Sequence, residues 1–271
     1  MLRHRTRLRQ LRFRSKLVRR PVVIYRHRGL KQKDVFLATY PRSGTTWMRF
    51  LLYEAISGNP AEFGSVAEGI PYIGKHEMAP RLIHGGSRLI QTHEKLCDSN
   101  RDVIYMVRDP RNVVVSQFHH YVRRKDNVIP NNFDAFFDGW LSGKFVPFGR
   151  WDEHVEFWLE APRRKGGRIQ VIRYEDLRRE PIRTLRTALA FLGYSLSDET
   201  LAAIVENNTM QRMQEKEDKH FAKWRASSGD RRFIRSGTVG NWKESLSEAQ
   251  ESRLVDNFRA TLRRVGYEAS P

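Results

Sequence analysis

Residues 39–47 constrain the fold of this chain more than any other segment. They read Thr-Tyr-Pro-Arg-Ser-Gly-Thr-Thr-Trp and lie between the apolar run 35–38 and the amphipathic stretch 48–56. A junction of this kind places a tight turn and hydroxyl side chains in front of the unpaired backbone N–H groups of a helix N-terminus. Arg42 adds a permanent positive charge with a forked set of donors. The segment therefore predicts a phosphate-binding loop between a buried strand and a helix.

The same segment differs from the loops that bind nucleoside triphosphates. It lacks the Gly-x-x-x-x-Gly-Lys-Ser/Thr spacing, in which a lysine and a magnesium-binding hydroxyl follow the second glycine. Ordinary loops between strands and helices also carry Pro, Gly, Ser and Thr, for turn and capping reasons alone. The length of the segment, its arginine and its tryptophan favour a phosphate ligand over that simpler interpretation, although not an ordinary ATP site.

Positive charge is concentrated at the N-terminus. Residues 1–33 hold 13 of the 49 Lys and Arg residues and no acid, which leaves 36 basic and 31 acidic residues in the remainder. We expect a basic arm over residues 1–33 and one large domain over residues 34–271. A polybasic arm can contact an anionic membrane or a nucleic acid, or it can be a solvated tail or surface helix. Its interleaved apolar residues, Leu8, Leu11, Phe13, Leu17 and Val18, are compatible with a peripheral amphipathic helix.

Other features of the sequence bear on its location. No run of eighteen apolar residues occurs, so no transmembrane segment is expected. The N-terminus has no apolar core behind its charges, which argues against a secretory signal. The single cysteine, Cys97, excludes an internal disulfide and fits a reducing compartment. We expect a cytoplasmic protein, with membrane association through residues 1–33 as an open alternative.

Strand-like and helix-like segments alternate along the chain. Apolar runs predict strands over 35–40, 89–93, 103–107 and 168–173, and amphipathic stretches predict helices over 47–57, 111–122, 133–141, 151–159, 182–192 and 197–206. Residues 61–87 are expected to be irregular and residues 216–234 to lack periodicity, whereas Ser247 and Gln250 predict a capping box for a last helix. This alternation predicts a single α/β domain with a central parallel sheet flanked by helices, which is a three-layer arrangement.

Four polar residues follow directly after predicted strands. They are Arg42, His93, Arg108 and Tyr174. Ligands of open parallel sheets bind in the crevice at the carboxyl ends of the strands. We therefore expect four separate segments to meet at one site.

Three segments together resemble the soluble, cytosolic-type sulfotransferases. They are residues 40–47, residues 105–116 (Tyr-Met-Val-Arg-Asp-Pro-Arg-Asn-Val-Val-Val-Ser) and residues 235–243 (Arg-Ser-Gly-Thr-Val-Gly-Asn-Trp-Lys). Their order and spacing agree with that family from about Val35 to the last helix. The family uses 3′-phosphoadenosine 5′-phosphosulfate (PAPS) as sulfuryl donor and releases adenosine 3′,5′-bisphosphate (PAP), and the resemblance implies no metal.

The resemblance also implies which residues bind the donor. The 5′-phosphosulfate would be bound by backbone amides of Ser43, Gly44, Thr45 and Thr46, beside the positive charge of Arg42. The ring of Trp47 would stack on the adenine. The 3′-phosphate would be held by Arg108, Ser116, Arg235, Ser236 and Gly237. Tyr174, helped by Thr209 or Met210, would meet the adenine edge.

His93 matches the position of the family's catalytic base. Sulfuryl transfer requires that the acceptor hydroxyl lose its proton as it attacks, and a histidine is suited to accept that proton. Arg42 would stabilise charge on the leaving phosphate, because an arginine effectively cannot give up a proton as the lysine of many family members could.

Two further departures from the family concern the acceptor side and assembly. Gln91 stands where the family has a lysine near the base, which removes one positive charge. The family's C-terminal dimer motif is not reproduced after Lys243, so the usual dimer is in doubt.

The function implied is sulfuryl transfer to a small-molecule, glycan or lipid-like hydroxyl acceptor. Aromatic residues in the irregular stretches favour an apolar or ring-containing acceptor, while nearby cations permit an anionic one. Two alternatives stay open. A nucleotide kinase would need a magnesium-binding acid and a Walker-type lysine, and a nucleic-acid-binding protein would use the basic arm and bind more weakly as salt increases.

Overall fold

The computed structural model describes residues 16–96, 100–123, 129–228, 234 and 240–267. Its centre is a four-stranded sheet in the order β2-β1-β3-β4, with every neighbouring pair parallel. The strands are β1 (Val35–Thr39), β2 (Leu89–Thr92), β3 (Val103–Val107) and β4 (Ile169–Arg173). The predicted parallel sheet is confirmed, and each strand lies within a residue or two of its expected bounds. Cys97, Arg235, Ser236 and Gly237 lie outside the described residues.

Helices flank the sheet and cover both of its faces. In chain order they are α1 (Lys16–Arg26), α2 (Thr45–Ser57), α3 (Phe63–Gly69), α4 (Pro110–Arg123), α5 (Phe133–Leu141), α6 (Trp151–Arg164), α7 (Tyr174–Arg179), α8 (Pro181–Phe191), α9 (Asp198–Asn207), α10 (Met210–Ser228) and α11 (Glu248–Arg264), with a 3-10 turn at Asn241–Glu244. The predicted capping box of the last helix is confirmed, because the Ser247 hydroxyl accepts from the Gln250 N–H and the Gln250 side chain bonds back to the Ser247 N–H.

The two faces of the sheet are packed into two separate cores. Along β1, Phe36 and Ala38 face one core, and Val35 and Leu37 face the other. The alternation follows from the two-residue period of a strand. Helices α5, α6 and α11 supply the first core and helices α2, α8 and α9 the second. Because both faces are covered, the central strands β1 and β3 read in the sequence as nearly continuous apolar runs.

Two predictions about irregular chain were wrong. Residues 61–87 contain the short helix α3, whose N-terminus is closed by a capping box between Glu62 and Ser65. Residues 216–234 begin inside helix α10, which is polar along most of its length. That helix is held by few apolar contacts, among them the burial of Met213 beside Phe50. Because this helix has few apolar residues, its sequence shows no helical periodicity, although packing against the domain stabilises it.

The N-terminal helix α1 is tied to the domain by charged contacts. Arg26 forms an ion pair with the buried carboxylate of Glu94 and donates from Nη2 to the Ile73 carbonyl at 2.7 Å. Arg88 donates to the Gly29 carbonyl at 2.8 Å and pairs with Asp34, so the chain that follows the helix is fixed as well. Within the described ranges, no helix is both long and apolar enough to cross a bilayer.

Gly167 sets the close approach of the chain that enters β4. A Cβ atom at this position would lie 2.2 Å from the backbone carbonyl oxygen of Arg101. We predict that Gly167→Ala lowers the free energy of unfolding by about 1–3 kcal/mol, because backbone on both sides cannot yield without shifting the strand. Urea denaturation measures the change.

Gly64 provides the matched control for this substitution. It lies in α3, and a Cβ atom there meets nothing within 4 Å. Gly64→Ala should leave stability unchanged or raise it slightly, since alanine favours helix over glycine. Equal loss of stability in both variants would contradict the explanation.

Candidate active site

The loop between β1 and α2 has an unusual backbone. Arg42 is the only non-glycine residue with positive φ, at 73°, in the described part of the chain, and Gly44 follows with φ 88°. A Cβ atom on Gly44 would lie 2.4 Å from the ring of Tyr174, so only glycine fits between this loop and the start of α7. The sequence prediction that a tight turn needs Gly44 is thus explained by close packing as well as by backbone conformation.

This loop presents several donors without an acceptor in the described structure. The helical ladder of α2 begins with the Met48 N–H, which donates to the Gly44 carbonyl at 3.2 Å. The N–H groups that precede it in the helix, including those of Thr45 and Thr46, have no intrahelical acceptor. The Ser43 hydroxyl is fully buried and has no hydrogen-bond partner. A buried orphan hydroxyl beside a helix N-terminus fits an anion, which would satisfy both.

The second predicted segment meets this loop directly. Arg108, at the end of β3, donates from Nη1 to the Arg42 carbonyl at 3.0 Å. Arg42 donates from Nε to the Ser116 hydroxyl on α4 at 3.1 Å. The Arg108 guanidinium lies 4.3 Å from the centre of the Tyr174 ring, and its buried Nε has no acceptor within the described residues. Four predicted residues from three separate segments therefore lie together, and Arg108 keeps an unused donor.

An aromatic group lies beside these arginines. Trp47 and Tyr174 are in edge contact, with ring centres 6.5 Å apart. The Trp47 indole donates to the Asn208 carbonyl at 2.8 Å, which fixes the plane of the ring, and the Arg178 guanidinium lies 5.4 Å from its centre. The predicted residues Thr209 and Met210 directly follow Asn208, the residue to which the tryptophan donates. This arrangement is suited to a flat, electron-rich ring such as a nucleobase.

The third predicted segment is only partly described. Arg235, Ser236 and Gly237 lie outside the described residues. Its C-terminal end packs against α4, because the Gly240 N–H donates to the Asn112 side chain at 3.2 Å and the Arg111 guanidinium lies 4.5 Å from the centre of the Trp242 ring. The end of the third segment thus meets the second segment, as the resemblance implies.

Hydrogen bonds fix the tautomer of His93. Its Nδ1 lies 2.7 Å from the Thr39 carbonyl oxygen, which can only accept, so Nδ1 carries the proton. In the neutral ring Nε2 is then an acceptor, and the Gln91 side chain donates to it at 3.2 Å. His154 donates to the His93 carbonyl at 3.0 Å and is itself held by the Tyr105 hydroxyl. The ring is held in an orientation that leaves a basic nitrogen at Nε2.

The surroundings of His93 favour its neutral form. Burial is the largest cause that lowers its pKa from 6.5 to about 4. The hydrogen bond to Thr39 opposes this effect, whereas the positive charges of Arg49, Arg26 and Arg42 add to it. At neutral pH the imidazole therefore carries no proton on Nε2 and can accept one.

Sequence reasoning missed the residue that connects the histidine to the loop. The Thr39 hydroxyl lies 3.0 Å from His93 Nδ1 and 2.7 Å from the Thr45 hydroxyl. Thr39 is fully buried at the end of β1, where its position after an apolar run reads as ordinary strand. The signal that could have identified it is its place between the strand and the loop, one residue before Tyr40.

Comparison with known proteins matches nearly the whole chain. The family described as the sulfotransferase domain matches residues 32–266. Sulfotransferase 1A1 of Mus musculus is 30% identical over 244 residues, covering 83% of each chain, and Sulfotransferase 2A1 of Macaca fascicularis is 28% identical over 256 residues, covering 89% of this chain and 88% of its own.

Solved structures resemble the fold. Mouse sulfotransferase SULT7A1, complexed with PAP, superposes with a TM-score of 0.61 at 27% identity, covering 86% of this chain and 85% of its own. A retinol dehydratase in complex with retinol and PAP gives a TM-score of 0.70 at 20% identity, covering 91% and 86% of the two chains, and at that identity the likeness shows the fold alone.

We predict that His93 in the free protein does not titrate at the usual pH of a histidine. Its imidazole proton resonances should stay unchanged from pH 7 to 5.5 and move only as the pH approaches about 4. Nuclear magnetic resonance titration measures this, with the His93 signals assigned by their loss in His93→Ala. A midpoint near 6.5 would contradict the described hydrogen bonds and burial.

The same shift has a consequence for stability. The unfolded chain takes up this proton near pH 6.5, but the folded chain does so only near pH 4. The contribution of neutral His93 to the stability of the fold is therefore fully present above pH 6.5 and is lost as the pH falls from 6.5 to about 4. His93→Ala should show a shallower loss of melting temperature across the same range.

Proposed function

The chain belongs to the sulfotransferase domain family, and we propose that it transfers a sulfuryl group from PAPS to a hydroxyl with His93 as general base. Sulfuryl transfer follows from membership of the family, because residues 32–266 match the sulfotransferase domain. The donor, the base and the binding residues are the finer parts of the proposal. The acceptor is a small molecule, a glycan or a lipid-like alcohol.

The donor assignment is supported by the anion-binding character of the loop. The Ser43 hydroxyl, the first N–H groups of α2 and the Nε of Arg108 offer donors to phosphate oxygens. Trp47 and Tyr174 offer aromatic surface nearby. The related mouse sulfotransferase was solved with PAP, so a nucleotide with phosphates on both sides of its ribose matches both the chemistry and the relative. When bound, that donor supplies the sulfuryl group.

One observation carries the assignment of the base. Thr39 contacts both the His93 ring and Thr45 of the loop, so a single residue connects the proposed base with the proposed donor site. His93 Nε2 would exchange its contact with the Gln91 amide for the acceptor hydroxyl and would accept the hydroxyl proton as the new sulfur–oxygen bond forms and the bond from sulfur to the phosphate oxygen breaks. Nδ1 keeps its own proton throughout and donates it in the hydrogen bond to the Thr39 carbonyl.

Arg42 and Arg108 would stabilise the charge that develops on the leaving phosphate. Arg42 is oriented by Ser116, and Arg108 by the Arg42 carbonyl. Fixed cations in a partly buried site need no reorganisation as charge develops, which is the basis of electrostatic catalysis. In-line displacement places the hydroxyl and the phosphate on opposite sides of sulfur, with His93 on the acceptor side.

The basic arm is proposed to touch an anionic membrane surface. Helix α1 exposes Val22, Ile24 and Tyr25, the last to 67%, on an arm rich in arginine. Exposed apolar residues beside basic ones favour the interface between lipid headgroups and acyl chains. The enzyme would be cytoplasmic in this proposal. Because its C-terminal motif is altered after Lys243, it would lack the family's usual dimer contact.

We predict that His93→Ala lowers kcat by roughly 10²–10⁴-fold, which is the usual contribution of a general base. The affinity for PAP should change little, because the role of His93 is on the acceptor side. Labelled-donor assays measure turnover, and isothermal titration calorimetry measures PAP binding. His84→Ala is the control, since that histidine is exposed and stacks only on Tyr194. Full turnover by His93→Ala would remove the histidine from the mechanism.

We predict that Arg108→Gln weakens PAP binding by roughly 10–100-fold, the loss expected when a charged donor is removed from a phosphate. Arg20→Gln, at an exposed position of α1, should bind PAP normally. Thermal shifts should also be larger with PAP than with ATP-Mg²⁺ or an oligonucleotide. Preferential stabilisation by ATP-Mg²⁺ would favour a nucleotide kinase, and a salt-sensitive shift with the oligonucleotide would favour nucleic-acid binding.

A further inference from the structure

Arg19 on helix α1 is a half-buried cation with unused donors. Its guanidinium carbon lies 5.1 Å from the centre of the Phe148 ring. No hydrogen bond or ion pair joins it to any residue in the described ranges. Burial lowers the pKa of Arg19, and the charge of Glu94 opposes that effect while the charge of Arg26 adds to it. A guanidinium has five N–H donors, and leaving them unsatisfied in a partly dry site is costly.

This cation lies one aromatic ring away from the proposed base. The ring centres of Phe148 and Tyr72 lie 5.4 Å and 6.3 Å from that of His93. A molecule whose hydroxyl reaches His93 Nε2 would therefore meet aromatic surface. The far end of such a molecule, lying along Phe148, would approach Arg19.

The other charged groups of this region are already engaged. Arg26 pairs with Glu94 and donates to the Ile73 carbonyl. Arg49 donates to the Val66 and Ile70 carbonyls and lies 4.8 Å from the Tyr72 ring centre. The charge of Glu94 acts on Arg19, Arg26 binds one oxygen of this carboxylate, and His27 Nδ1 lies 3.5 Å from the other. The local charge is positive, and Arg19 is the cation whose donors are available.

Building on the proposed sulfuryl transfer, we propose that Arg19 and Phe148 form a subsite for a negatively charged group on a ring-bearing hydroxyl acceptor. The ring lies against Phe148, the hydroxyl meets His93 and the acidic group meets Arg19. A carboxylate, sulfonate or phosphate shares the required chemistry, since each accepts the forked donors of a guanidinium. The N-terminal helix is then part of the acceptor site as well as a basic arm.

The test compares matched acceptors that differ only in charge. They are 3-(4-hydroxyphenyl)propionate, its primary amide and the corresponding propanesulfonate, each titrated by calorimetry into the full chain with saturating PAP. We expect the two anions to bind the wild-type protein at least about tenfold more tightly than the amide, the effect of one charged hydrogen bond. Arg19→Gln should remove that preference and leave the affinity for the amide unchanged, and Arg19→Lys should retain part of it.

Arg20→Gln is the matched control. Arg20 is exposed and adjacent in the same helix, so this variant carries the same change of net charge and should keep the preference for anions. Equal melting temperatures of the two glutamine variants would show that the helix stays docked. Equal binding of anion and amide by the wild type, binding of none of the three compounds, or equal loss for both classes in Arg19→Gln would overturn the subsite.

A separate readout distinguishes this subsite from the transfer reaction. Labelled PAPS with the neutral amide reports sulfuryl transfer without use of Arg19. Sulfated amide together with no preference for anions would remove the subsite and keep the proposed function. Absence of both PAP binding and sulfated product would remove the proposed function itself.

Discussion

The hydrogen bond between the Thr39 carbonyl and His93 Nδ1 is the interaction on which the site depends. It exists because β1 and β2 are adjacent and parallel, with Ala38 paired to Thr92, so the next residues, Thr39 and His93, lie side by side at the carboxyl edge of the sheet. A shift of one residue in that register would turn the imidazole to the other face of the sheet. The register of two short buried strands therefore places the His93 ring beside the loop between β1 and α2.

The loop itself is fixed by contacts with later segments. Gly44 leaves room for Tyr174, whose ring in turn lies under Arg108, and Arg108 holds the Arg42 carbonyl. A positive φ at Arg42 is costly for a side-chain-bearing residue, and that carbonyl contact, together with the hydrogen bond from Arg42 to Ser116, supports it. The loop is thus a product of three strand ends, which is why its motif has meaning only in the context of the sheet.

The sequence predicted the parts of this arrangement that depend on local pattern. Strands and most helices were recovered because both faces of the sheet are buried. The grouping of Arg42, Arg108 and Tyr174 followed from strand ends sharing one edge, and that of Ser116 followed from the family resemblance. Helices α3 and α10 were missed because few of their residues face a core. The role of Thr39 and the contact of Arg19 with Phe148 could not be predicted, since both depend on how distant segments pack.

The charges around His93 connect proton transfer with donor binding. Burial is the largest cause that lowers the pKa of His93, and the positive charges of Arg49, Arg26 and Arg42 lower it further, so the free imidazole is a weak base. A multiply charged anion bound at Arg42 and the start of α2, as proposed, would act in the opposite sense and would raise the pKa of the same ring. An acceptor that met the imidazole after this anion would then meet a stronger base. In the proposed mechanism Arg42 therefore has two effects, because it would contact the donor and it lowers the pKa of the free His93 ring, and donor binding before acceptor binding is the order that this charge favours.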